Sequence, residues 1–147
     1  MRLPPPLVAV SIAFMMYLVN PYFVACCSLS WLPHFAIIFI ISAAFFLPPA
    51  LLQFRRVKTT VNPYTPKKTS KLVTGGVYKY SRNPMYLGMA LVLAAWAAIL
   101  ETAPSFAGVL VFIAYISYFQ INDEEEALAE LFGEEFDAYK SRVRRWL

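Results

Sequence analysis

Two short stretches hold most of the residues in this chain that are able to do chemistry. The first reads Leu72-Val73-Thr74-Gly75-Gly76-Val77-Tyr78-Lys79-Tyr80-Ser81-Arg82-Asn83-Pro84-Met85-Tyr86-Leu87-Gly88. Asn83-Pro84 marks a helix start, because asparagine caps free first-turn amides and proline at the first position gives up an amide that is orphaned anyway. The positive end of that helix, with Arg82 beside it, favours an anionic group such as a carboxylate. Gly75-Gly76 lets the backbone turn sharply or approach a ligand closely. Tyr78, Tyr80 and Tyr86 offer aromatic faces and hydroxyls suited to an adenine, a ribose or a sulfonium cation. The second stretch, Asp123-Glu124-Glu125-Glu126, carries carboxylates that could hold an ammonium group or ribose hydroxyls.

Both stretches also have a purely structural reading. The first fits a capped membrane helix with an interfacial belt of tyrosines, and its glycine pair fits an ordinary turn rather than a dinucleotide fingerprint. In the second, Asp123 and Glu126 have the spacing of a capping box, a reading that loses force if the preceding helix runs unbroken into the tail. The single histidine, His34, lies by an expected outer turn and away from both stretches. No His and Cys set has zinc spacing and no Ser, His and Asp set falls on one face, which disfavours metal hydrolysis and acyl-enzyme chemistry. Cys26 and Cys27 are adjacent within an apolar run and read as small hydrophobes.

The elements that must position these stretches are membrane helices. Of 147 residues, 59% are apolar, 16% aromatic and 15% charged, an excess that points to a bilayer. Apolar runs at 6–29, 33–54, 84–100 and 103–121 each approach the ~20 residues needed to cross the hydrocarbon. They predict an all-α integral membrane bundle of four transmembrane helices in two hairpins. The first hairpin covers 1–54 and turns at Ser30-Trp31-Leu32-Pro33; the second covers 84–121 and turns at Glu101-Thr102-Ala103-Pro104. Pro21, Pro48 and Pro49 predict kinks. Residues 55–83 form a connection holding eight Lys and Arg and no acid, which the positive-inside rule places in the cytoplasm with both termini. Residues 122–147 predict a cytoplasmic amphipathic helix weakened or divided at Gly133, with Leu128, Leu131, Phe132, Phe136 and Tyr139 at helical spacing and acids that could face the basic connection.

Taken together, Leu72-Val73-Thr74-x-Gly76-x-Tyr78-x3-Arg82-Asn83-Pro84-x-Tyr86-x-Gly88 and Glu124-Glu125-x2-Leu128-x3-Phe132-Gly133-x2-Phe136-x2-Tyr139 resemble the isoprenylcysteine carboxyl methyltransferase family, over residues 70–145. Membrane phospholipid methyltransferases share a similar pattern. The resemblance implies an enzyme that uses S-adenosylmethionine and releases S-adenosylhomocysteine. It places cofactor contacts at Leu72, Val73, Tyr78, Asn83, Pro84, Met85, Tyr86, Glu124 and Glu125, with Arg82 and Glu124 as catalytic candidates and Arg82 and Gln120 facing the acceptor. Asn83 stands where the family often has histidine, and Gln120 where an arginine commonly precedes the acidic pair.

The implied reaction is in-line attack of an acceptor on the sulfonium methyl, the charged cofactor entering from the cytoplasm and the acceptor from the bilayer. The implied acceptor is lipophilic, foremost an isoprenylcysteine-like carboxylate and next a phospholipid amine; membrane lipids are expected partners, nucleic acid and metal are not. A noncatalytic lipid-binding scaffold and a nicotinamide-dependent membrane reductase are the competing classes.

Overall fold

The computed structural model describes residues 3–23, 32–56 and 72–147. Cys26, Cys27, the turn at Ser30-Trp31 and the basic residues Lys58, Lys67, Lys68 and Lys71 lie outside the described residues. Those described are helical and contain no strand. The helices are α1 (Pro5–Val19), α2 (Leu32–Arg56), α3 (Pro84–Leu100), α4 (Ala103–Ile116), α5 (Asn122–Phe132) and α6 (Glu134–Arg142). Among them, three segments are long and apolar enough to cross a membrane: Pro5–Tyr22, Leu32–Gln53 and Ala103–Phe132. The fourth expected span, α3, has 17 residues, about 25 Å of helix against ~30 Å of hydrocarbon.

The apolar side chains of α1, α2 and α4 point largely outward: Val10, Phe14, Ile37, Ile41, Leu110 and Val111 are all exposed. Apolar surface on this scale is stable only when something other than water covers it, and a bilayer does so. α3 is the opposite case. Gly88, Ala90, Leu93, Ala95, Ala97 and Ala98 are buried, and these mostly small residues let its neighbours come close. A Cβ built on Gly88 would lie 2.7 Å from Leu47 Cβ of α2, so a side chain there would push the two helices apart.

Register follows from these contacts. α2 runs antiparallel to α3: Ala36 packs with Ala95 and Ala98, Leu47 meets Gly88, and Gln53 meets Gly75-Gly76. α1 runs antiparallel to α4 and parallel to α3, with Met16 against Gly108, Trp96 Nε1 donating to Ala13 O at 3.2 Å, and Asn20 beside Thr102. Both α1 and α2 therefore lean on α3, and the two are not a closely packed pair with each other. The start of α1, the approach to α3 and the tail consequently share one end of the bundle.

Several local expectations change. α1 ends at Val19 and gives way to a 3-10 turn, Asn20–Tyr22, so Pro21 stands past the helix end and not at a kink within it. α2 continues through Pro48 and Pro49. Helix α4 does not stop before the acidic stretch. It passes through a π-helical turn, Ser117–Ile121, directly into α5, so Asp123 is interior to a continuous helix and the capping-box reading falls. The tail does divide at Gly133, whose φ of +48° suits a residue without a Cβ.

Candidate functional site

The approach to α3 is folded as a tight plug. Gly76 adopts φ +56°, and a Cβ there would sit 2.5 Å from Gln53 Oε1, so glycine is required both by conformation and by contact with α2. A 3-10 turn, Gly76–Lys79, follows and drives Val77 and Tyr78 into the interior against Ala50. Val73 and Met85 pack around the same cluster, while Leu72 packs separately with Phe136 and Tyr139 of α6. Tyr139 OH donates to the Tyr78 carbonyl at 2.7 Å, tying α6 to the plug. Leu72, Val73 and Met85 are thus engaged in apolar packing, and Pro84 is fully buried at the first position of α3.

Tyr86, two residues further into the first turn of α3 and buried, donates its hydroxyl to Glu124 Oε1 at 2.7 Å. Gln120 Nε2 donates to the same oxygen, also at 2.7 Å. Among the described residues neither donor reaches Oε2. Gln120 and Glu124 are four residues apart on the α4–α5 run and so share a face. Tyr78 stands close enough to Glu124 for the carboxylate to help, after burial, to push its hydroxyl up to about 12. The Tyr78 hydroxyl is buried and has no hydrogen-bond partner among the described residues. Tyr139 is likewise held above its ordinary value, chiefly by burial and then by Tyr78.

Glu125, the next residue, points elsewhere. Its carboxylate takes Arg82 Nη2 on Oε1 at 2.9 Å and Arg145 Nη2 on Oε2 at 2.6 Å. Arg145 Nε adds a longer contact to Oε1 at 3.3 Å, completing a two-point fork. Arg82 also donates through Nη1 to the Lys140 carbonyl at 3.4 Å, and its Nε is buried without a partner among the described residues. Asn83 does not cap α3 with its side chain. Its Nδ2 donates instead to the Arg145 carbonyl at 3.1 Å, because the segment after α6 lies where the carbonyl can reach it.

All the candidate side chains lie at one end of the bundle, but they separate into two groups. Tyr78, Tyr86, Gln120 and Glu124 form a hydroxyl, amide and carboxylate cluster; Arg82, Asn83 and Glu125 are joined to the segment after α6. Sequence reasoning missed Arg145 and Ser81 in the second group. The one available signal was an arginine able to answer Glu125, and nothing in the spacing singled Arg145 out from its basic neighbours Arg142 and Arg144. His34 is exposed at the start of α2, at the opposite end of the bundle.

Comparison with known proteins follows the same outline. The model of a family described as phospholipid methyltransferase matches residues 31–135, well over half of the chain. An uncharacterized protein of Haemophilus influenzae is 46% identical over 63 residues, which are 43% of this chain and 100% of that protein. A methanethiol S-methyltransferase of Bradyrhizobium diazoefficiens is 42% identical over 67 residues, 46% of this chain and 22% of that protein. No solved structure matches.

Proposed function

The chain belongs to the phospholipid methyltransferase family, and from that premise we propose that it is an integral membrane methyltransferase using S-adenosylmethionine, with its site at the Glu124 end of the bundle. The carrying observation is the Glu124 carboxylate, fastened through Oε1 by Tyr86 and Gln120 beside the buried hydroxyl of Tyr78, which has no partner among the described residues. A buried hydroxyl without a partner is costly, and a ligand with hydroxyl or amine groups would relieve it.

The residues present suit such a cofactor. When bound, S-adenosylmethionine supplies an electrophilic methyl on a sulfonium. Glu124 offers an anchored acceptor for an ammonium or a ribose hydroxyl, Tyr78 a neutral hydroxyl, and the tyrosine rings faces that attract a cation. Leu72, Val73 and Met85 supply apolar walls that keep water from a reacting centre. We place this end, with both termini, on the cytoplasmic side of a four-span bundle, on the strength of the basic residues between α2 and α3.

For the acceptor, the resemblance of the motifs supports a lipophilic carboxylate of isoprenylcysteine type, which needs no base to attack. Gln120 spends its amide on Glu124 and Arg82 spends its guanidinium mainly on Glu125, so the site holds little cation for such a carboxylate. That observation favours a second acceptor class, a thiol or amine whose proton Glu124 would accept, and a relative named for methanethiol is consistent with it. The deciding experiment is calorimetric titration of the purified protein with S-adenosylmethionine and S-adenosylhomocysteine, followed by parallel assays with a prenylcysteine, a small thiol and a phospholipid amine. Saturable binding that Glu124→Ala weakens supports the reading. A folded protein that binds neither cofactor form, in detergent and in nanodiscs, overturns it.

A further inference from the structure

After α6 the chain leaves the helix in extended backbone at Val143 and folds back across the approach to α3. Three hydrogen bonds join them. Arg82 N–H donates to the Arg144 carbonyl at 3.0 Å, and the Arg145 carbonyl accepts from Ser81 Oγ at 3.3 Å and Asn83 Nδ2 at 3.1 Å. Ser81 is fully buried, and its hydroxyl also accepts the Asn83 amide at 3.1 Å. One residue on, Trp146 Nε1 donates at 3.3 Å to the Oγ of Ser117, the first residue of the π-helical turn, and its side chain packs against the core cluster that includes Ile116 and Ile121. The Arg145 guanidinium meanwhile grips Glu125.

The segment thus touches three things at once: the start of α3, the π-turn, and α5 one residue away from Glu124. We propose that Arg144-Arg145-Trp146 is a strap that sets the distance between Tyr86 and Glu124, with Arg145 as a positioning residue for the cofactor site. This rests on the methyltransferase reading above. Tyr86 rides on α3, Gln120 and Glu124 ride on the α4–α5 run, and α3 and α4 are joined directly only by the turn at the far end of the bundle. Near the site that turn cannot hold the start of α3 against α5, and beside the direct Arg82–Glu125 ion pair it is the strap that joins them. The strap does so from both sides, through backbone carbonyls on 81–83 and through a forked ion pair on Glu125. Glu125 accordingly serves as the link between Arg82 and Arg145 and is not itself free for a ligand.

Arg145→Ala, Arg145→Lys and the charge-matched control Arg142→Ala test this in the full chain in nanodiscs, with three readouts: affinity for S-adenosylhomocysteine, thermal midpoint, and hydrogen exchange over residues 81–88. Arg145→Ala should weaken affinity about tenfold, the scale on which residues of one network couple, and speed exchange in the first turn of α3. Arg145→Lys keeps the charge and loses the fork, so it should recover part of the affinity. Arg142, exposed and outside the strap's contacts, should change neither. A lower thermal midpoint with unchanged affinity would reduce Arg145 to a stabilising residue and overturn the proposal, as would unchanged exchange over 81–88. Wild type that is folded and binds no cofactor sinks the methyltransferase reading together with the strap's role, whereas binding by wild type and by Arg145→Ala alike sinks the strap alone.

Discussion

At the end of the bundle where α1 finishes, Ser105, Thr102 and Asn20 form a short relay. Thr102 Oγ1 donates to Asn20 Oδ1 at 3.0 Å, so its single proton is spent and the 2.8 Å contact with Ser105 must be a donation from Ser105. Thr102 and Ser105 are buried, uncharged and satisfied. At the other end, buried polar atoms are gathered in greater number, carry formal charge, and include two with no partner among the described residues, Tyr78 OH and Arg82 Nε. Both ends fasten helices together, and among the described residues the second is the one with buried polar atoms left without a partner. A polar cluster inside a membrane bundle is therefore not in itself a sign of function; incompleteness is the distinguishing mark.

The comparison is easiest to break at Glu124. Replacing it with alanine should cut methyl transfer roughly 100-fold or more, the scale of a lost acid–base or anchoring group, with the fold retained by circular dichroism. If activity persisted near the wild-type level, the Glu124 end would be no more functional than the Thr102 end. Tyr86→Phe removes one of two donors to the carboxylate and leaves the ring in place. Its expected cost is about tenfold in kcat/KM, on the order of 1.4 kcal/mol, read from steady-state kinetics with the best acceptor.

Thr102→Val sharpens the contrast from the closed end. It strips Asn20 of its donor and Ser105 of its acceptor, which should lower stability by about 1–2 kcal/mol while cofactor affinity stays within about twofold of wild type, the scatter of uncoupled sites. Denaturation and calorimetry on the same sample check both halves. A large loss of affinity would mean the two ends communicate along α3.

The smallest effect is a matter of pH. Tyr78 ionises at 10.0 when unperturbed and is pushed up to about 12 in the fold, so the native state holds its proton more tightly than the unfolded chain. The stability this contributes is present in full below pH 10 and is lost as pH rises from there through about 12. Tyr78→Phe removes the titrating hydroxyl and should flatten that alkaline loss in the cofactor-free protein. A variant whose unfolding retained the wild-type pH profile above 10 would show that Tyr78 is not the group responsible.

Much of the frame was legible in advance. The start of α3 at Asn83-Pro84, the turn at Glu101-Thr102 and the division at Gly133 all follow from local chemistry, in which a few adjacent residues decide the backbone. The gathering of Tyr86 and Glu124 at one end was also legible, because an apolar hairpin returns its two ends to the same level. The finer assignments were not. Asn83 has the right side chain for a cap, but the Arg145 carbonyl, 62 residues along the chain, takes its amide.

What the sequence determined by itself is the set of apolar helices, their breaks, and the level at which the polar residues collect, since burial periodicity and proline chemistry act locally. What only the tertiary structure decided is which of two adjacent carboxylates meets the tyrosine. Glu124 and Glu125 differ by one position, about 100° around a helix. Which of them faces α3 depends on the phase in which the helix arrives, and that phase passes through the π-turn at Ser117–Ile121. A π-turn closes its hydrogen bonds one residue later than an α-helix does, so it turns every side chain beyond it relative to those before. Its placement depends on packing against α3 and on Trp146 from the strap, contacts between residues far apart in the chain that no local pattern encodes.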